Sequence, residues 1–191
     1  MSYDPPRPAG RLLLTPEDRE APTRVRRLRR LGLAERADPA LDAFAAHLAG
    51  LAEAPYAMVN FLVEGGQFFA GLRVPEVPPV RRGDGTSPEF GRVQPRDHGF
   101  CPHVVVRRKA LVLEDVRDYP RFAGNPVVDA FGIRSYLGAP LIDSTGTVLG
   151  TVSAADVQPR TWGTAGLATI KSTAADLVRR IERSAEDGLP L

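Results

Sequence analysis

Three residues with titratable or soft donor atoms fall close together at His98, Cys101 and His103. Imidazole and thiolate are zinc and copper ligands, so one reading of this group is a metal site. A fourth donor is missing, because no second His/Cys cluster occurs in the chain. Cys101 and His103 are also two apart on a predicted helical turn and point in different directions. A second reading makes Cys101 a nucleophile, since a thiol in the first turn of a helix beside histidines is favoured as thiolate. The structural alternative is a small buried hydrophobe. Cys101 is the single cysteine, so reductase chemistry that needs a resolving thiol has none. A third reading takes Cys101-Pro102 as a haem-responsive dipeptide with an axial thiolate. That dipeptide is too common to indicate haem by itself.

A second group comprises Asp115, Asp118, Tyr119, Arg121, Phe122, Arg134 and Tyr136. Paired acids suit acid and base work, and Arg with Tyr suits an anionic or aromatic ligand. Capping and a salt-bridged rim explain the aspartates equally well. Arg134 directly precedes an apolar strand, where it either lines a pocket or bridges to Asp115 or Asp118. No phosphate loop, nucleophile elbow or dinucleotide fingerprint is present. A third concentration is basic: Arg24, Arg26, Arg27, Arg29 and Arg30. Its functional reading is a docking face for an acidic partner, carried by Arg26, Arg27, Arg29 and Arg30; its structural reading is a solvated helix face. No aromatic residue is interleaved, which removes single-strand stacking.

The elements that must position these groups are read from period and punctuation. Thr15-Pro16-Glu17-Asp18 predicts a short helix that Pro22 interrupts. Val25, Leu28 and Leu31 predict a helix from about Thr23 to Leu31, stopped by Gly32. Asp38-Pro39 starts another, with Leu41, Phe44, Leu48 and Leu51 on its buried face and His47 beside them as a surface histidine. Ala57–Val63 and Gln67–Leu72 predict a hairpin through Glu64-Gly65-Gly66. Residues 73–96, rich in proline and glycine, predict an irregular and partly disordered loop. A short helix follows over Gly99–Val106 and a strand over Ala110–Glu114. Asp115 and Asn125-Pro126 then give helix starts, the second ended at Gly132. Ser135–Ile142 and Thr147–Ala155 predict a second hairpin, with Pro140 at an edge or bulge. The last helix carries a seam of Leu167, Ile170, Ala174, Leu177 and Ile181, suited to packing a dimer beside the N-terminal helix.

The totals bound the class. A length of 191 residues with 43% hydrophobic and 25% charged content predicts one soluble domain. We expect a flexible tail over residues 1–22, the domain over 23–183 and a C-terminal tail over 184–191. The net charge of +2 is too small to argue for nucleic acid. No signal-peptide pattern or apolar run of membrane length is seen, which predicts a cytoplasmic protein with no membrane partner.

The order of the pieces resembles the GAF domain family from about Arg24 to Glu182. The residues that carry the resemblance are Phe100-Cys101-x-His103, Asp115-x-x-Asp118-x-Pro120-Arg121-Phe122, Asn125-Pro126-x-Val128, Ile133 to Leu141, and Gly150 to Asp156 with Pro159-Arg160. The resemblance implies an α+β fold: an antiparallel sheet of five or six strands, with N- and C-terminal helices on one face and a ligand pocket on the other. It implies a small-molecule regulator and dimers formed through the terminal helices. Two departures matter. Ser153 stands where many relatives have Cys, so the several-cysteine cycle of the family's free methionine sulfoxide reductases is not expected. The Cys-His pair by which phytochrome-like relatives hold bilin is not found after Asn125-Pro126, so neither bilin nor haem is expected. The expected protein is a non-catalytic sensor that signals to a partner protein. Its candidate ligand-binding residues are Phe100, Cys101, His103, Asp115, Tyr119, Phe122, Arg134 and Tyr136. The alternatives are a thiol redox sensor or enzyme acting through Cys101, and a partner-docking module with a vestigial pocket.

Overall fold

The computed structural model describes residues 15–80, 85–188 and 191. Residues 1–14 of the tail expected over 1–22, part of the proline-rich loop and residues 189–190 lie outside these. The elements run α1 (Ala21–Arg30), α2 (Pro39–Ala52), β1 (Tyr56–Val63), β2 (Gly66–Arg73), β3 (Val93–Pro95), α3 (Cys101–Arg107), β4 (Leu111–Leu113), a 3₁₀ turn (Val116–Asp118), α4 (Pro120–Ala123), α5 (Pro126–Phe131), β5 (Ser135–Ile142), β6 (Val148–Asp156) and α6 (Gly163–Asp187). The six strands form one antiparallel sheet in the order β3-β2-β1-β6-β5-β4. Among the described residues no helix is long and apolar enough to cross a membrane.

Strand alternation divides the core into two layers, because successive side chains leave opposite faces of a sheet. One face carries Ala57, Val59, Leu137, Ala139, Val152 and Ala154 against α2 and α6. The other carries Tyr56, Met58, Phe69, Tyr136 and Ala155 against α3, α4 and α5. The N- and C-terminal helices thus share one face, and the candidate site occupies the other.

Local signals explain most boundaries. Asp38 caps α2 by accepting from Ala40 N, with Pro39 behind it in the first turn. Asp115 caps the 3₁₀ turn through Arg117 N, and Asn125 caps α5 through Val127 N. Pro140 sits in β5 beyond its pairing with β4, which reaches from Tyr136 to Gly138. There its missing N–H interrupts no ladder bond to that neighbour.

Several expectations are corrected. No helix forms at Thr15, and Pro22 lies in the first turn of α1, where its missing N–H removes no helical bond. The fold therefore takes in residues assigned to the tail, and α6 likewise continues to Asp187. Leu51 is 53% exposed, and Ala45 and Ala49 complete the inner face of α2 instead. The loop expected to be wholly irregular contributes β3, an edge strand on β2. Ile170, Ala174, Leu177 and Ile181 of the α6 seam pack into the protein's own helix-side core, so this seam is not a free dimer surface.

The basic face is also redistributed. Arg24 is 1% exposed and donates to both Asp18 carboxylate oxygens and to the Val148 carbonyl. Burial raises the Asp18 pKa, but the hydrogen bonds and charge of Arg24 outweigh it and hold the carboxyl below its ordinary value. Arg27 donates to the buried Asp143 at 2.6 Å. These bonds fasten α1 to the β5–β6 turn, leaving Arg26, Arg29 and Arg30 exposed.

Candidate functional site

α3 begins at Cys101 after Gly99, whose φ of +87° suits glycine. Asn125 holds this approach to the helix: its carbonyl oxygen accepts from Gly99 N at 2.8 Å and its amide donates to Gly99 O at 2.9 Å. One side chain thus caps α5 and brackets the entry to α3. A second polar relay runs under the sheet, where Asn60 donates to Gln67 Oε1 and Gln67 donates to the carbonyls of Pro95 and His98.

Between these supports lies a cavity of about 40 Å³ lined by Met58, Phe69, Phe90, Phe100, Cys101 and Tyr136, together with Gln67, Gln94 and His98. Tyr136 fills much of this face. Its ring lies across Gly138, where a Cβ would collide with it. Its hydroxyl is 3.4 Å from Cys101 Sγ, and Ser153 Oγ is 4.0 Å from the same sulfur. Burial raises the Tyr136 pKa well above its ordinary value, Cys101 raises it further, and the Ser153 and Thr151 hydroxyls pull the other way. The phenol is a neutral hydrogen-bonding group and no base. Cys101 is buried beside the Tyr136 and Ser153 hydroxyls, and among the described residues no carboxylate or imidazole is hydrogen-bonded to it.

His103 lies one layer out. Its ring meets Phe122 edge-on at 4.9 Å, it is 3% exposed, and its Nδ1 has no hydrogen-bond partner. Burial lowers its pKa to about 4, with Arg121, Arg107 and Arg96 adding to the effect. Among the described residues no group of His, Cys, Asp and Glu could hold a metal ion; His98 pairs with Asp97 instead.

The sequence-derived candidates separate into two sets. Phe100, Cys101 and Tyr136 meet at the cavity. His103 and Phe122 form the layer behind Phe100, whose ring is 5.7 Å from Phe122. Asp115 and Arg134 pair with each other at the rim through two hydrogen bonds. The Arg134 hydrogen bond holds the Asp115 carboxyl below its ordinary value. Arg134 therefore bridges to Asp115 and is not among the cavity-lining residues. Tyr119 is 39% exposed on the outside of α4. Met58, Phe69 and Phe90 are wall residues that sequence reading passed over. The first two lay inside a predicted hairpin, and Phe90 lay in a segment with no period to read.

Size alone does not locate the site. A concavity of about 570 Å³ opens between α6 and the end of β5, with Arg108, Lys109, Pro140, Leu167 and Lys171 on its walls. Neither Cys101 nor Tyr136 lines it.

A six-stranded antiparallel sheet with its terminal helices on one face and short helices roofing a cavity on the other defines a class of domain. Residues 36–181 match the GAF domain family, and this chain belongs to that family. A cyclic di-GMP phosphodiesterase of Pseudomonas aeruginosa is 36% identical over 70 residues, which cover 36% of this chain and 12% of that protein. The GAF domain of an Acinetobacter phosphoenolpyruvate-protein phosphotransferase superposes with a TM-score of 0.58 at 16% identity, over 90% of this chain and 99% of that one. A free methionine-R-sulfoxide reductase from Neisseria meningitidis, solved with its substrate, gives 0.59 at 17% identity over 90% and 96%. A PixJ GAF domain from Thermosynechococcus elongatus gives 0.57 at 15% over 84% and 88%. At such identities the structural likeness is one of fold.

Proposed function

We propose that this chain is a non-catalytic regulatory domain that binds a small uncharged molecule between the sheet and α3–α5 and signals to a partner protein through α1 and α6. The observation that carries this reading is the cavity wall: among the described residues it contains no Asp, Glu, Lys or Arg. An ion placed there would be desolvated with no Lys, Arg or carboxylate on the wall to pair with it, and His98 is already engaged by Asp97, so the cost is several kcal/mol. Neutral polar side chains on this wall are Gln94, Tyr136 and Cys101, the Gln67 amide being committed to Asn60, Pro95 and His98. The volume of about 40 Å³ holds little more than a water molecule, so a metabolite enters by displacing a side chain. The sheet supplies the route of coupling, since Tyr136 faces the cavity and its neighbour Leu137 packs in the core shared with α6. Pairing of two copies belongs to the same proposal and would use outward faces of the terminal helices, because the inward seam is covered.

Native mass spectrometry of the purified chain, compared with the denatured chain, tests the reading. One non-covalent adduct per chain, lost on denaturation, is the expected result. A bare native mass together with an unchanged Tm across a panel of uncharged metabolites overturns it.

A further inference from the structure

The aromatic rings beside the cavity show which part of a ligand the site is shaped for, an inference that rests on reading this face as a ligand site. Phe90 belongs to the irregular stretch before β3 and lies outside every strand. Its ring is inserted among three others: 5.8 Å from Tyr56, 5.5 Å from Phe69 and 4.7 Å from Phe131, centroid to centroid. Those three rings come from β1, β2 and α5, the fixed parts of the fold. The fourth comes from a loop.

Phe90 is also a partition. It lines the inner cavity of about 40 Å³ and an outer cleft of about 280 Å³ walled by Pro75, Pro78, Pro79, Val80 and Pro88. The outer wall is held against the body of the protein, because Val80 packs where a Cβ at Gly132 would stand, 2.7 Å away. Withdrawing one phenyl ring would therefore join the two spaces and leave a slot bounded by three rings. Two residues further on, Arg92 is pinned through its guanidinium to Asp42. Phe90 can move upstream of that anchor without unpairing the sheet.

We propose that Phe90 is a built-in occupant of an aromatic slot, and that the ligand is an uncharged molecule whose planar aromatic ring replaces it. Ring stacking at offset or tilted geometry is favourable at these separations, so the slot that holds a phenyl group suits another flat ring. Charge selects further: among the described residues the outer cleft offers one charged side chain, Glu89, whose carboxylate opposes an anion. Carboxylates and phosphates are disfavoured. Because the ligand must evict Phe90, its apparent affinity is lowered by the fraction of chains in which the slot is open.

Indole is a suitable probe, and benzoate its anionic control. Titration calorimetry of the full chain should show weak indole binding to the wild type and binding at least about tenfold tighter to Phe90→Ala, since eviction is no longer required; benzoate should bind neither. In the wild type, the ring resonances of Phe90 should shift in proportion to indole bound, and in the variant indole should show proton NOEs to Tyr56, Phe69 and Phe131. Equal affinities, absence of binding to a folded Phe90→Ala, or Phe90 resonances unmoved at saturation would each overturn the proposal. Where Phe90→Ala does not fold, Phe90→Leu carries the same comparison with a smaller gain. A bare native mass leaves a positive indole result intact. An adduct found without indole binding overturns the aromatic slot and keeps the sensor reading.

Discussion

Acidification should unfold this domain through His103 before it does so through the carboxylates. His103 sits neutral under α4 with Nδ1 unbonded, and Arg121, Arg107 and Arg96 all oppose a proton there. In the unfolded chain the imidazole regains its ordinary value of 6.5, whereas in the folded chain it is lowered to about 4. Between those limits the unfolded state binds more protons, so stability is complete above about pH 6.5 and is lost as the pH falls toward 4. Linkage gives a loss of about 2 kcal/mol at pH 5 and about 3 kcal/mol at pH 4. The carboxyls of Asp18, Asp115 and Asp143 are lowered from 3.8. Their contributions are therefore lost only from that value downward. The measurement is urea denaturation in steps from about pH 7.5 to about pH 4, on the wild type and on His103→Leu, which keeps an apolar volume and removes the titration. A wild-type curve that falls while the variant's stays nearly flat is the expected result. Parallel curves would show that His103 takes up its proton as readily folded as unfolded, and the burial argument would fail.

The remaining predictions concern individual side chains. Arg24→Ala should cost about 3–5 kcal/mol in urea denaturation because it leaves Asp18 without its buried partner, whereas Arg26→Ala on the exposed face should stay within about 0.5 kcal/mol; comparable losses would refute the assignment of Arg24 to the core. Cys101 should react with iodoacetamide more than about 100-fold slower in the native protein than in urea, as reaction waits on an opening that costs about 3 kcal/mol or more. Rapid native labelling, followed by mass, would revive thiol chemistry. Arg134→Met should leave indole affinity in the Phe90→Ala background within about twofold, since the guanidinium is held at the rim by Asp115; a tenfold loss, about 1.4 kcal/mol, would return Arg134 to the site.

What could be read without coordinates was what local chemistry determines. Asp38-Pro39, Asp115 and Asn125-Pro126 announced their helix starts, and both long hairpins were visible from period and turn residues. The failures share a cause, since each depends on a partner distant in sequence or on the choice of face. Arg24 has the look of a solvated residue until the Val148 carbonyl, which it meets across the fold, is in place. Leu51 has the right spacing for the core but is exposed, the inner face of α2 turning to Ala45 and Ala49. Pro22 interrupts a helix only where that helix has already begun. At the site, Phe100, Cys101 and Tyr136 were legible because they flank helix and strand starts. Phe90 was not, because its burial is supplied by β1, β2 and α5. Arg134 and Asp115 were correctly seen as possible partners, and the structure pairs them with each other.

The prolines at the borders of the sheet bear on how this protein can meet others. β3 is three residues long and ends at Pro95, and the stretch of β5 left uncovered by β4 contains Pro140. A visiting strand needs a run of alternating donors and acceptors, and neither border supplies one of useful length. Self-association by strand addition, the usual hazard of an open antiparallel sheet, is thereby blunted at both ends. Recognition of this domain, by a second copy or by another protein, falls to side chains on its helices and loops.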